Sequence, residues 1–135
     1  GLISLHRFIP IPVHDHPNTF GIQKIISGKV RVRQYQFPPN SNQDHSLVSL
    51  EKVFDRVLIK GESSYFTPSF RNLHALESVS SQTVLLSLMA NPYRHHERSW
   101  YYPVPLTATG MTSLYNRVRI KPLMPKDPNV MARKC

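Results

Sequence analysis

Residues 21–37 read GIQKIISGKVRVRQYQF, and their pattern changes once, at Ser27-Gly28. Before that point Ile22, Lys24, Ile25 and Ile26 make a short, mostly apolar run, the mark of a buried strand. After it, Val30 and Val32 alternate with Lys29, Arg31 and Arg33. That period of two predicts a strand with one wet face, and a Ser-Gly pair between two such runs predicts a hairpin. Working outward, Phe37-Pro38-Pro39-Asn40-Ser41-Asn42 is a loop by composition. Val53–Ile59 alternates in part and is closed by a turn at Lys60-Gly61-Glu62. Tyr65-Phe66, Leu73–Val79 and Thr83–Met89 are further short strands, the last broken by Asn91-Pro92. No stretch before residue 110 holds a capped helical stripe. Short strands with turns every ~8–12 residues predict an all-β sandwich or barrel.

Composition narrows the class. A chain of 135 residues is one small domain, long enough to bury a core unaided. Its 12 prolines favour turns and strand ends over long helices. The single cysteine, Cys135, excludes an intramolecular disulfide, a cysteine-rich zinc site and an iron–sulfur cluster. Net charge is +9, concentrated in Arg117, Arg119, Lys121, Lys126, Arg133 and Lys134, against Asp127 alone in the same stretch. Residues 103–135 lose the strand rhythm, and Pro122, Pro125 and Pro128 predict an irregular end. The chain thus divides into a domain over 1–104 and a basic, proline-containing segment over 105–135. That segment has only Tyr115 as a stacking aromatic, so no nucleic acid is expected as a partner. The apolar run Thr83–Ala90 is far short of the ~18 residues of a membrane span, so no membrane is expected either. A cytoplasmic monomer is expected, with the nucleus as a second location.

The chemistry is carried by histidines. Of the seven, His14 and His16 flank Asp15 between Pro12 and Pro17. On an extended segment alternate side chains share a face, so both imidazoles point the same way and reach one metal. A lone pair of this kind arises easily by chance; its register with the rest of the chain gives it weight. Gly28 follows His16 at the predicted turn, and Gly61, Pro68 and His74 follow in a second segment. His6, His45, His95 and His96 read as surface residues, Cys135 as an exposed thiol, and Trp100, Tyr101 and Tyr102 as core or cavity wall.

Together these segments resemble the two motifs of the cupins, whose fold is a double-stranded β-helix, a barrel of jelly-roll type. Ile11-Pro12-Val13-His14-Asp15-His16-Pro17, Ile26-Ser27-Gly28-Lys29-Val30-Arg31-Val32, Arg71-Asn72-Leu73-His74, Asn91-Pro92-Tyr93 and Ser99-Trp100-Tyr101-Tyr102 resemble, more narrowly, the thiol dioxygenases of the cysteamine dioxygenase and plant cysteine oxidase group. The likeness runs from about residue 3 to 104. It implies Fe(2+) held by His14, His16 and His74, with O2 and a thiol as substrates. The thiol is an amino-terminal cysteine of a peptide or a small aminothiol such as cysteamine, taken to the sulfinic acid. A peptide substrate makes such an enzyme a reporter of oxygen level. Tyr93 is the implied catalytic and substrate contact, and Ser87 the second substrate contact. Departures are visible: Gly21 stands where many cupins carry a fourth, Glu ligand, Ser87 where the group carries Asp, and Ser99 where it carries Cys. The group's N-terminal helices and opening strands have no counterpart in these residues. Two other readings stay open: a cupin with another metal and a non-thiol reaction, and a non-catalytic metal-binding cupin.

Overall fold

Ten strands and no helix form the regular structure among residues 1–41, 43, 45–90, 98–105 and 112–120, those described by a computed structural model of the chain. In order they are β1 (Leu2–His6), β2 (Ile11–His14), β3 (Phe20–Ser27), β4 (Lys29–Gln36), β5 (Leu47–Ile59), β6 (Ser63–Phe66), β7 (Leu73–Ser78), β8 (Gln82–Ala90), β9 (Arg98–Pro103) and β10 (Thr112–Ile120). Four of them make an antiparallel sheet in the order β1-β8-β3-β6. The other six close on themselves in the order β10-β5-β4-β7-β2-β9. The fold is the expected all-β barrel. Among the described residues no helix is long and apolar enough to cross a membrane.

The two-residue period of the strands divides the interior into two cores. Leu5, Ile25, Val30, Val32, Leu58, Leu76 and Leu85 pack between the open sheet and the outer face of the six-stranded ring. Val13, Tyr35, Val48, Leu50, Leu73, Tyr101 and Tyr115 pack in a second cluster, drawn wholly from the ring. Strand β7 serves both: Leu73 belongs to the second cluster and Leu76 to the first. Strand β5 reaches both by a different device. Its pairing with β4 skips Val53, since Gln34 lies opposite Phe54 and Tyr35 opposite Lys52. One extra residue reverses the phase of the strand. Even-numbered Val48 and Leu50 therefore face the second core, while Phe54 and Leu58 face the first. Beyond the bulge the phase is regular, and Val53–Ile59 alternates only in part because Val57 and Ile59 are apolar on the exposed face.

Two expectations are corrected. Ser27-Gly28 is no hairpin, because β3 pairs with β8 and β6 whereas β4 pairs with β5 and β7. Gly28 instead turns the chain from one sheet to the other at φ 81°, and a Cβ there would sit 2.4 Å from the Gln82 carbonyl oxygen. The Lys29 carbonyl is then captured by Val79 N–H at 2.9 Å and by the Thr83 hydroxyl at 2.8 Å. Tertiary contacts take the chain away from the hairpin that the local signal favours. The irregular course expected for 105–135 also fails at residues 112–120. Strand β10 pairs with both β5 and β9 and closes the ring. Its charge misleads, because Arg117 turns inward onto Asp15, Ser99 and the Tyr101 ring. Tyr102, expected in the core, is 45% exposed, while Tyr101 is fully buried.

Leu85 is fully buried in the first core, whereas Leu88, on the same strand but the opposite face, is 56% exposed. Leu85→Ala is expected to cost ~2–5 kcal/mol and Leu88→Ala to stay within ~0.5 kcal/mol, measured by urea denaturation. Equal losses at both positions would contradict the assignment of faces.

Candidate metal centre

His14 ends β2, and His16 follows two residues later in a chain still extended enough for both rings to share a side. His74 enters from β7, in register with His14. The ring centroids lie 4.6 Å apart for His14–His16, 4.7 Å for His14–His74 and 4.4 Å for His16–His74. One ligand nitrogen from each falls within 4.8 Å of the other two, and all three residues are buried. Among the described residues this is the one grouping of His, Cys, Asp or Glu that could hold a metal.

The hydrogen bonds set the tautomers. His14 Nδ1 lies 2.9 Å from the Pro12 carbonyl oxygen and His16 Nδ1 lies 2.6 Å from that of Asn72. A carbonyl can only accept, so each ring donates from Nδ1 and presents a bare Nε2. His74 Nδ1 is buried with no partner among the described residues. Burial pushes His14 down to about 4, with Arg98 adding to the effect, and His16 down to about 3, with help from His14. His74 is held well below its ordinary value by burial and by both neighbouring rings. Three neutral imidazoles at ordinary pH, two with fixed tautomers, are a donor set that fits a borderline divalent transition metal.

Asp15 stands between two of these histidines and points the other way. Its Oδ1 accepts the Ser99 N–H at 2.8 Å, its Oδ2 accepts the Tyr101 hydroxyl at 3.2 Å, and Arg117 Nη2 lies 4.0 Å off. Burial raises its pKa, and those donors only partly offset the effect. The carboxylate is therefore committed to the ring and unavailable to the cluster. Glu77, three residues after His74, lies on the opposite face of β7 from that ring and pairs with Arg33 at 3.5 Å.

Two residues that the sequence reading did not place in the site, Asn72 and Phe66, belong there, and Trp100, read as core or cavity wall, lines it. Asn72 clamps His16: its Oδ1 accepts His16 N–H at 2.8 Å, its Nδ2 donates to the His16 carbonyl at 2.8 Å, and its own carbonyl holds the ring. Phe66 stacks on His16 at 4.1 Å and meets His74 edge-on at 5.6 Å. Trp100, in register with His14, brings its ring to 4.8 Å from that imidazole. The only signals for Asn72 and Phe66 were an Asn two residues before His74 and an aromatic at a strand end.

Gly21, where many cupins place Glu, lies opposite Phe66 in the β3–β6 pairing. A Cβ there would stand 2.2 Å from the Phe66 ring. An aromatic ring fills the room a fourth ligand would need, which leaves three histidines and no carboxylate. Ser87 sits on β8, buried, with its Oγ lacking a partner among the described residues. Ser99 Oγ accepts the Arg117 Nε–H at 2.9 Å, on the side of Asp15. Tyr93, His95, His96 and Cys135 lie outside the described residues; His6 and His45 are exposed, as expected.

With this geometry in hand, comparison with known families adds an independent line. The PCO_ADO family model matches residues 3–124. The chain belongs to the PCO_ADO family. Relatives of this PCO_ADO chain include proteins named 2-aminoethanethiol dioxygenase from Mus musculus, 26% identical over 146 residues, and Homo sapiens, 25% identical over 153. The matches take in 94% and 98% of this chain and 52% of each relative. The chain thus spans about half the length of these relatives. Among solved structures, a protein with a double-stranded β-helix domain from Klebsiella pneumoniae aligns at TM-score 0.48 and 17% identity, over 67% of this chain and 64% of that one.

Two predictions follow from these contacts. Asn72→Leu is expected to weaken metal binding ~10–100-fold by freeing the His16 ring, measured by competition against a chelator. Unchanged affinity would mean that the clamp does not orient the ligand. Gly21→Ala is expected to cost ~1–3 kcal/mol through overpacking, and pairing it with Phe66→Leu to recover part of that loss. A double-mutant cycle showing strict additivity would rule out the contact.

Proposed function

We propose that this chain is an iron-dependent thiol dioxygenase. It takes an amino-terminal cysteine of a peptide, or a small aminothiol such as cysteamine, to the sulfinic acid. What carries the reading is the convergence of His14, His16 and His74 without a carboxylate, in a chain of the PCO_ADO family. The names of the two mammalian relatives favour the same chemistry.

The overall reaction adds both atoms of O2 to one sulfur, RSH + O2 giving RSO2H, and needs no further reductant. A ferrous ion at the three histidines supplies the positive charge that favours the thiolate, and the redox capacity for O2. The chain does the rest. Pro12 and Asn72 carbonyls keep His14 and His16 aimed by their Nε2 atoms. Phe66 and Trp100 wall the histidines with apolar rings, excluding water from the centre. Ser87, on the inner face, contacts the substrate, and Tyr93 supplies a hydroxyl toward the reacting thiol. With a peptide as substrate, turnover follows the oxygen level.

Removing a ligand should cost more than the ~10–100-fold typical of its supporting groups. Protein loaded anaerobically with ferrous iron should therefore consume O2 only when thiol is added and yield a sulfinic acid by mass spectrometry. His74→Ala should lose its iron, and with it more than about 100-fold of that uptake. Equal uptake with and without the substitution, or zinc retained in place of iron with no uptake, would overturn the proposal.

A further inference from the structure

The inner face of the open sheet is laid out in rows by its register. Gly21 faces Phe66 beside the histidines. Two residues along β3, Gln23 lies between Ser64 of β6 and Ser87 of β8. Beyond them Ile25 lies opposite Leu85, inside the first apolar core. A polar row thus separates the aromatic wall of the metal centre from its apolar floor. On the facing sheet Gln34 is in register with His74. Gln23, Ser64 and Ser87 are each only 5% exposed.

Two atoms of that row are unpaired: Gln23 Oε1 and Ser87 Oγ are buried without a hydrogen-bond partner among the described residues. Neighbours in register project from adjacent positions of one sheet face, so both unpaired oxygens belong to side chains on the same inner row. Leaving such groups unpaired is costly, and native proteins rarely do so without a ligand or water. Among the described residues no carboxylate joins them. Asp15 is bound into the ring by Ser99 and Tyr101, and Glu77 is paired with Arg33 on the far face of β7.

We propose that Gln23 and Ser87 form a charge-free receptor for a hydrogen-bond donor carried by the substrate. This inference rests on the thiol dioxygenase reading and sharpens it. Neutral oxygens accept from a hydroxyl as well as from an ammonium, and give the cation none of the advantage that a carboxylate gives it. Burying an ammonium without a counter-charge also carries a desolvation cost that a hydroxyl escapes. The site therefore takes hydroxythiols alongside aminothiols. It rejects thiols with an apolar group in that place, because they leave both oxygens unpaired.

The test uses iron-loaded protein held without oxygen, titrated with cysteamine, 2-mercaptoethanol and propane-1-thiol. Binding is read from the fluorescence of Trp100, the single tryptophan, whose ring is 4.8 Å from His14. The quantity compared is each thiol's affinity for wild type over its affinity for Gln23→Leu or Ser87→Ala, a ratio in which the acidity of the thiol cancels. Each substitution is expected to weaken cysteamine and 2-mercaptoethanol alike, about tenfold, and to leave propane-1-thiol unchanged or tighter. Gln23→Leu should also keep or raise the melting temperature, since it removes an unpaired buried acceptor. Weakening confined to cysteamine would overturn the charge-free receptor, as would equal effects, or none, on all three thiols. Failure of all three thiols to bind wild type would overturn the thiol reading itself, and this inference with it.

Discussion

Asp15 is tied into the six-stranded ring by Ser99 N–H, the Tyr101 hydroxyl and the approach of Arg117. Because successive side chains of an extended segment point to opposite sides, fixing Asp15 on one side commits His14 and His16 to the other. They then share the space between the two sheets with His74, which β7 delivers to the same side. A carboxylate that never touches the centre decides where the centre is. The dependence reaches as far as β10: Arg117 also binds Ser99 Oγ and the Gln43 carbonyl, so the strand that closes the ring also holds the anchor.

The character of the site follows from what the strands exclude. Phe66 occupies the room beside Gly21, Asp15 faces away, and Glu77 is paired outside. Three imidazoles kept neutral by burial would leave a divalent ion its full charge, which suits a ligand that must arrive as an anion, as a thiolate does. Packing and chemistry thus agree. The ring that stacks on His16 and helps keep it dry is also the one that blocks a fourth protein ligand.

Much of this was legible in the sequence, and the rest was hidden for identifiable reasons. The alternation at Val30 and Val32 and the alternate placement of His14 and His16 are local, periodic signals, while His74, far along the chain, was placed by the family resemblance; the strands and the cluster follow them. The corner at Gly28 was misread because Gln82, Thr83 and Val79 determine it, and these are distant in sequence. Strand β10 was missed because its arginines look like a solvated tail until Asp15 and Ser99 are known to face Arg117. The bulge at Val53 hid half of β5 by reversing its phase. Asn72 carried no periodic signal at all; its value lies in three hydrogen bonds to one residue 56 positions away.

The central claim is that His14, His16 and His74, with no carboxylate, are the protein's grip on iron. X-ray absorption at the iron edge of anaerobically loaded protein tests it most directly. The account predicts the scattering signature of three imidazoles, falling to two in His74→Ala if any iron remains. A shell with fewer imidazoles in the wild type, or an unchanged shell in that variant, would contradict it.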